Sequence, residues 1–168
     1  MLTVLIIFLS AVLDKAGNKD IRILISSVTN VAVDRILQGL VDLGYTDFIR
    51  VGSLKKISKT ILPYMIQIDK EKSENIRDLR EMLKEPMTAA EAKAVKETLD
   101  MLEGGIAEKK KSTISAVRVV GVTFAACVFP VLEKSTFSIA ILDESSQCLE
   151  PLAMLPLAKF SCRKLVKL

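Results

Sequence analysis

Both ends of the chain alternate between short apolar runs and segments with helical spacing. The short runs lie at 21–26, 46–53, 117–122, 137–142 and 163–168. Runs that are nearly continuous in apolar character are typical of parallel strands covered on both faces. The alternation therefore predicts an α/β domain in three layers, with a parallel sheet and right-handed crossovers.

Two segments between these runs have the periodicity of amphipathic helices. The first, 31–44, ends at Gly44, a typical C-terminal stop. The second, 149–160, carries Glu150 and Pro151 where a first helical turn favours them. The predicted buried face of the first helix comprises Val33, Ile36, Leu37, Leu40 and Leu43.

The middle of the chain, 54–111, is rich in Glu, Lys, Leu and Ala. Its pattern predicts two amphipathic helices, broken at Pro86 and at Gly104-Gly105, whose charges form a solvated face. Thr88 and Glu91 have the spacing of a capping box for the second helix. We therefore predict a helical hairpin at 54–111, inserted into an α/β domain formed by 1–53 and 112–168.

The N-terminal stretch MLTVLIIFLSAVLD has an apolar run like that of a signal peptide. No Lys or Arg precedes this run, and no A-x-A-like site follows it before Asp14, which argues against secretion. The run is also too short to span a bilayer. We expect it to form a buried helix or strand of the α/β core, and we expect no membrane partner.

Charge and cysteine content narrow the class of protein. The 168 residues carry a formal net charge of +4, which suits a polyanionic partner without identifying one. The absence of histidine removes Ser-His-Asp and Cys-His catalysis. Cys127, Cys148 and Cys162 have no C-x-x-C spacing, which argues against a zinc site and against a disulfide framework. Such sparse cysteines indicate a reducing compartment, the nucleus or the cytosol.

Polar clusters directly follow three of the predicted strands. They are SVTN at 27–30, GVT at 121–123 and DESSQ at 143–147. Ligands of open parallel sheets bind at the carboxyl ends of the strands. We therefore expect the three clusters to form one polar rim.

Asp143 and Glu144 follow four apolar residues in the pattern of a Walker B motif. In that motif the first carboxylate holds magnesium, and the second can orient and deprotonate the attacking water. The alternative is the acidic start of a helix, which the helix dipole favours, and the pair alone leaves both interpretations open. None of the seven glycines is followed by lysine, so the phosphate-binding G-x-x-x-x-G-K-[ST] motif does not occur in this sequence.

Several motifs in combination resemble superfamily 1 helicases. They are SSVTNVAVDRIL with FIRVGS, VRVVGVTFAAC, and ILDESSQCLEPLAMLPLAKF. The branch they resemble most includes Dna2-like, senataxin-like and nonsense-mediated-decay helicases, and within it the GRF-type zinc-finger-containing helicases. The resemblance spans roughly Ile21 to Lys164 and implies an incomplete RecA-like P-loop NTPase domain, the first of the two in such a motor.

The resemblance also implies partners and cofactors. Thr29, Asn30 and Thr123 would contact the backbone of single-stranded nucleic acid, with DNA favoured over RNA. The helical hairpin would help to contact the nucleic acid. Asp143 would bind Mg²⁺, and with Glu144 and Gln147 it would form part of an ATP site. The implied location is nuclear, with the cytoplasm as the alternative.

The same resemblance assigns catalytic roles at the end of the fourth predicted strand. Glu144 would be the general base for water, and Gln147 would couple the γ-phosphate site to movement along the strand. The Walker A motif, a later Gly-Asp-x-x-Gln run, the second RecA-like domain with its arginine finger, and the zinc finger have no counterpart in the sequence. We expect the phosphate loop to lie upstream of Met1, and this chain alone to bind nucleotide weakly and hydrolyse it negligibly.

The predicted function is therefore that of a part of an ATP-dependent, 5′-to-3′ translocating helicase of the replication and repair type. Two alternatives stay open. One is a catalytically inactive module that binds nucleic acid or a protein partner. The other is a non-functional, truncated product.

Overall fold

The computed structural model describes residues 2–18, 20–53, 56–66, 70–84, 88–133, 135–147, 150–160 and 162–167. Its strands are β1 (Ile23–Ser27), β2 (Phe48–Arg50), β3 (Val119–Thr123), β4 (Ile139–Asp143) and β5 (Lys164–Lys167). All pair in parallel, in the order β2-β3-β1-β4-β5. The parallel α/β sheet predicted from the apolar runs is confirmed.

Helices connect these strands. They are α1 (Leu2–Lys15), α2 (Asn30–Asp42), α3 (Lys70–Met82), α4 (Ala89–Ala116) and α5 (Glu150–Lys159). Short 3-10 helices span Leu62–Tyr64, Phe124–Val128, Pro130–Leu132 and Ser145–Gln147. Within the described ranges, no helix combines the length and the apolar character needed to cross a bilayer.

Each face of the sheet carries its own hydrophobic core, because successive residues of a strand point to opposite faces. On one face Ile23 and Ile25 of β1 pack with apolar residues of α1 and α2. On the other face Leu24 packs with Phe124 and with apolar residues of α5. This arrangement gives the three layers that the sequence predicts.

The helix α2 buries most of the face predicted from its spacing. The buried members are Val33, Ile36, Leu37 and Leu40. Leu43 is 57% exposed because the helix ends at Asp42, and the prediction of burial at Leu43 is wrong. Gly44 follows with a φ of 77°, a conformation that suits glycine at a helix end.

A glycine allows α2 to lie close to β3. A Cβ atom at Gly121 would lie 2.7 Å from Cδ1 of Leu37, which is too close for van der Waals contact. The helix α2 therefore packs closely against the middle of β3.

The first helix, α1, is buried on one side only. Ile6 and Ser10 are buried, whereas Phe8 is 63% exposed. The N-terminal apolar run therefore forms a helix of the α/β layer, and the expectation that it is buried holds for one of its faces.

The chain divides into two compact units, Met1–Ile66 with Ile114–Leu168, and Gln67–Thr113. The second unit contains α3 and most of α4, and Arg80 and Glu103 pair within it at 2.6 Å. The boundaries predicted at 53/54 and 111/112 stay predictions.

The predicted break at Gly104-Gly105 is wrong, because α4 continues through both residues. Glycine weakens a helix by only about 1 kcal/mol per residue, and a helix that is already nucleated propagates through it. The predicted break at Pro86 lies outside the described residues. The capping box is confirmed: the backbone N–H of Thr88 donates to Oε2 of Glu91 at 2.9 Å, and the backbone N–H of Glu91 donates to Oγ1 of Thr88 at 3.4 Å.

Candidate functional site

The carboxyl ends of β3, β1 and β4 lie side by side at one edge of the sheet. The strand register pairs Ser27 with Thr123 on one side and with Asp143 on the other. The three polar clusters predicted from the sequence therefore share this edge. Ser27, which the sequence interpretation did not assign a role, is at its centre and is fully buried.

Glu144 leaves the sheet in a left-handed backbone conformation, with a φ of 54°. This conformation costs a residue with a side chain about 1–2 kcal/mol. The hydroxyl of Ser27 donates to Oε2 of Glu144 at 3.4 Å, so the carboxylate turns back over the end of β1. Strained backbone of this kind occurs often at functional sites.

Asp143 is the last residue of β4, and a 3-10 turn follows Glu144. The backbone N–H of Gln147 donates to the carbonyl of Glu144 at 3.0 Å, and the Gln147 side chain is exposed. The next described α-helix, α5, begins at Glu150. The acid pair therefore ends β4 and directly precedes a 3-10 helix, and its role stays a prediction.

The two carboxylates have no cationic partner among the described side chains, and both are half-buried. Two like charges in that setting favour an external cation. Magnesium takes oxygen ligands and usually binds through one or two carboxylates together with waters and phosphates. The donor set of Asp143 and Glu144 fits that chemistry. In the described ranges no group of three or more His, Cys, Asp or Glu side chains forms a fuller metal cage.

A second cluster is built around Arg50, the last residue of β2, which lies beside the middle of β3. This side chain is fully buried, and its Nε donates to Oδ1 of Asp34 at 2.8 Å. Burial lowers the pKa of Arg50, and the Asp34 carboxylate opposes that effect. Nη1 donates to the carbonyls of Val51 and Gly121. The cluster therefore connects α2 to the end of β2 and to the middle of β3.

The predicted nucleic-acid residue Asn30 belongs to this cluster. Its Oδ1 accepts a hydrogen bond from Nη2 of Arg50 at 2.9 Å. The sequence interpretation missed Arg50 and Asp34. The signals were a charged residue within the strand FIRVG and an acidic residue on the apolar side of the helix VAVDRIL.

Thr29 has a structural role in addition to its predicted one. It is the N-cap of α2, and its Oγ1 accepts from the backbone N–H of Ala32 at 3.1 Å. A hydroxyl group that accepts one hydrogen bond can still donate its own proton. Thr29 is exposed, so that proton faces solvent at the edge of the sheet.

Thr123 ends β3 beside Ser27, and only 8% of it is exposed. Its carbonyl accepts from Sγ of Cys127 at 3.5 Å, and Cys127 also lies 3.8 Å from Oγ of Ser26. Burial raises the pKa of the Cys127 thiol to about 11, so this thiol is not a nucleophile at neutral pH. Thr123 therefore lies on the polar rim beside Ser27, and most of its surface is buried.

A parallel sheet with an acid pair at the carboxyl end of an inner strand fits a partial α/β domain of the P-loop NTPase class. Residues 66–166, more than half of the chain, match the family described as AAA domain. The chain is also 41% identical over 173 residues to the 5'-3' DNA helicase ZGRF1 of Mus musculus. That match covers 99% of this chain and 9% of the length of the relative. The chain belongs to the AAA domain family and to the superfamily 1 helicases, in the GRF-type branch.

Proposed function

We propose that this chain forms part of an ATP-dependent helicase motor that translocates 5′ to 3′ on single-stranded DNA. It would supply the acid pair of the ATP site and one segment of the path of the strand. We further propose a role in replication or repair, and hence a nuclear location. The relative named above is itself described as a 5'-3' DNA helicase, which supports the choice of DNA and of direction.

One observation carries the proposal. The register of β3, β1 and β4 brings Thr123, Ser27 and Asp143 into one row at the edge where parallel sheets bind ligands. Thr29 and Asn30 begin the helix that follows the central strand of that row. A candidate nucleotide site and a candidate strand site therefore meet at the end of β1.

The acid pair would act on the nucleotide side. A bound magnesium–ATP complex supplies the phosphoryl group and the charge neutralisation that its hydrolysis needs. Asp143 would ligate the metal. Glu144, held by Ser27, would accept a proton from water at its carboxylate, and Gln147 would contact the γ-phosphate side from its exposed 3-10 turn.

The first turn of α2 would act on the nucleic-acid side. The hydroxyl proton of Thr29 and the amide protons of Asn30 are neutral donors, which bind backbone phosphates without reading base sequence. Thr123 would contribute from the neighbouring strand. Because these donors carry no charge, most of the salt dependence of binding would come from lysine and arginine side chains elsewhere on the chain.

Binding of a fluorescein-labelled oligothymidylate, followed by anisotropy, tests the strand side of the proposal. The double variant Thr29→Ala/Asn30→Ala is expected to weaken binding by at least about 10-fold, because it removes two donors to charged oxygens. The matched control is Asn18→Ala/Thr46→Ala, two exposed residues that precede β1 and β2 at the opposite edge of the sheet. Equal affinity of the two double variants would refute the assignment.

The nucleotide side is tested with a fluorescent ATP analogue and Mg²⁺. Because this chain alone is expected to bind nucleotide weakly, the informative comparison is with Asp143→Asn. Weak binding that Asp143→Asn abolishes would support the nucleotide site, and binding that Asp143→Asn leaves unchanged would refute it. Oligouridylate in place of oligothymidylate tests the preference for DNA, and tighter binding of the RNA would overturn it.

A further inference from the structure

A fully buried arginine lies directly behind a residue of the proposed strand site. Arg50 makes hydrogen bonds to two backbone carbonyls, those of Val51 and Gly121, and to two side chains, Asp34 and Asn30. One carbonyl directly follows β2, the other lies in the middle of β3, and the two side chains belong to the first turns of α2. The guanidinium group is therefore fixed against the rigid part of the fold.

Asp34 is itself held from two sides. One carboxylate oxygen accepts from Nε of Arg50 at 2.8 Å, and the other accepts from the backbone N–H of Ser58 at 2.7 Å. Asp34 is buried, so both bonds are sheltered from water. This arrangement leaves the guanidinium fork little freedom to rotate away from Asn30.

The bond from Arg50 decides which way the carboxamide of Asn30 faces. A guanidinium group has only donors, so Asn30 must present its oxygen to Nη2. Its Nδ2 group then points away from Arg50. No described side chain or carbonyl accepts a hydrogen bond from that Nδ2 group.

We propose that Arg50, anchored by Asp34, is a positioning residue that holds the Asn30 carboxamide with its N–H donors toward a backbone phosphate of single-stranded DNA. This inference rests on the proposed function, because it needs Asn30 to contact the strand. Arg50 has no exposed surface and touches no phosphate itself. It acts only through Asn30, which would otherwise present its oxygen or its nitrogen with similar ease.

A double-mutant cycle on oligothymidylate binding tests the proposal. The variants are Asn30→Ala, Arg50→Lys and the two combined, each checked by circular dichroism for its folded fraction. Lysine keeps the charge but has a single nitrogen, so it cannot reproduce the contacts that Nε and Nη2 of Arg50 make to Asp34 and Asn30. We expect Asn30→Ala to weaken binding by about 10-fold, Arg50→Lys to weaken it by about 3- to 10-fold, and Arg50→Lys to change little once Asn30 is alanine.

The salt dependence of binding separates positioning from direct contact. A lysine or arginine that touches a phosphate of a single strand contributes about −0.7 to the slope of log K against log salt. Because lysine would keep such a contact, the slope is measured for Arg50→Gln, which carries no charge, and we expect it to match the slope of the parent chain. A slope smaller in magnitude by that amount in Arg50→Gln, or an equal loss of affinity from Arg50→Lys with and without Asn30→Ala, would overturn the proposal.

Asn30→Asp is a second, independent arm that does not disturb the buried arginine. The carboxylate still accepts from Nη2 of Arg50, but it presents an oxygen to the strand where the amide presents N–H donors. This variant is expected to fold and to bind no more tightly than Asn30→Ala, and binding like that of the parent chain would refute the proposal. If the parent chain does not bind the oligonucleotide, or if Asn30→Ala binds as well as the parent does, the proposed function itself fails. If Asn30→Ala weakens binding as expected but the effect of Arg50→Lys is the same with and without Asn30, only this inference fails.

Discussion

Two carboxylate groups of this domain, Asp34 of α2 and the acid pair at the end of β4, have opposite environments. Asp34 is buried and is matched by Arg50 and by the backbone of Ser58. Asp143 and Glu144 are half-buried and receive only the hydroxyl of Ser27 among the described donors. The first group is neutralised inside the protein, whereas the second is left for a ligand from outside.

This difference separates a structural carboxylate from a candidate ligand-binding one. A buried ion pair that has all its hydrogen bonds loses several kcal/mol when one partner is removed. A half-buried pair of like charges loses little stability when one charge is removed, because the two charges repel each other until a cation binds. Substitutions at the two groups should therefore change stability in opposite directions.

The largest expected effect is the loss of Asp34. Asp34→Ala leaves the Arg50 guanidinium buried without its counter-charge, and we expect the free energy of unfolding to fall by about 3–5 kcal/mol. Urea denaturation followed by circular dichroism measures the change. The control is Asp42→Ala, because Asp42 is an exposed residue of the same helix whose side chain, among the described residues, bonds only to Gln38. Equal stability of the two variants would show that the Arg50 pair is not structural.

The buried thiol of Cys127 gives a second test of how burial affects an ionisable group, at alkaline pH. Burial raises the pKa of Cys127 from its ordinary 9.0 to about 11. The folded state then holds its proton more tightly than the unfolded state, so the stability from the neutral thiol is complete below pH 9 and is lost as the pH rises to 11. We expect a loss of about 2–3 kcal/mol over that range relative to Cys127→Ala. Parallel stability profiles for the two proteins would contradict this assignment.

Removing one charge from the acid pair is expected to have a smaller effect, of opposite sign. Asp143→Asn relieves like-charge repulsion and should raise the free energy of unfolding by about 0.5–1 kcal/mol without magnesium. The same change should abolish any stabilisation by Mg²⁺ and ATP, measured by thermal unfolding. Asp34→Asn is the matched variant and should destabilise the protein whether or not magnesium is present. If Asp143→Asn lost as much stability as Asp34→Asn, Asp143 would be a structural carboxylate like Asp34.

The smallest expected effect concerns the backbone of Glu144. Relative to Glu144→Ala, which likewise lacks the carboxylate and its bond to Ser27, Glu144→Gly removes the cost of the left-handed conformation but adds entropy to the unfolded chain, so we expect it to be about 0.5 kcal/mol more stable. Glu150→Gly, in the first turn of α5, is the control and should destabilise by about 0.5–1 kcal/mol. Chemical denaturation of the two variants side by side gives the comparison. Similar losses at both positions would show that the conformation at Glu144 is not strained.

Local pattern was sufficient for much of the fold. The apolar runs located all five strands to within a few residues, and their parallel pairing follows from the helices between them. The spacing of VAVDRIL located α2 and its buried face. The exception was α4, where Gly104 and Gly105 suggested a break, because local propensity cannot weigh two glycines against a helix that continues on both sides.

The candidate site divides in a similar way. Asp143, Glu144, Thr29 and Asn30 were visible from sequence because motifs at strand ends are local. Arg50 and Asp34 were not, because a charge inside an apolar segment becomes interpretable only when its partner is known. Ser27 was likewise missed, since its contact with Glu144 joins residues that are far apart in the chain.

The sequence by itself determined which residues form strands and helices, and which polar clusters end those strands, because these depend on residues that are near one another in the chain. Only the tertiary structure decided that Arg50 pairs with Asp34 and turns the amide of Asn30 outward, and that Glu144 folds back onto Ser27. These contacts arise from the order in which strands meet in the sheet. That order depends on the packing of the whole domain, and no short segment contains it.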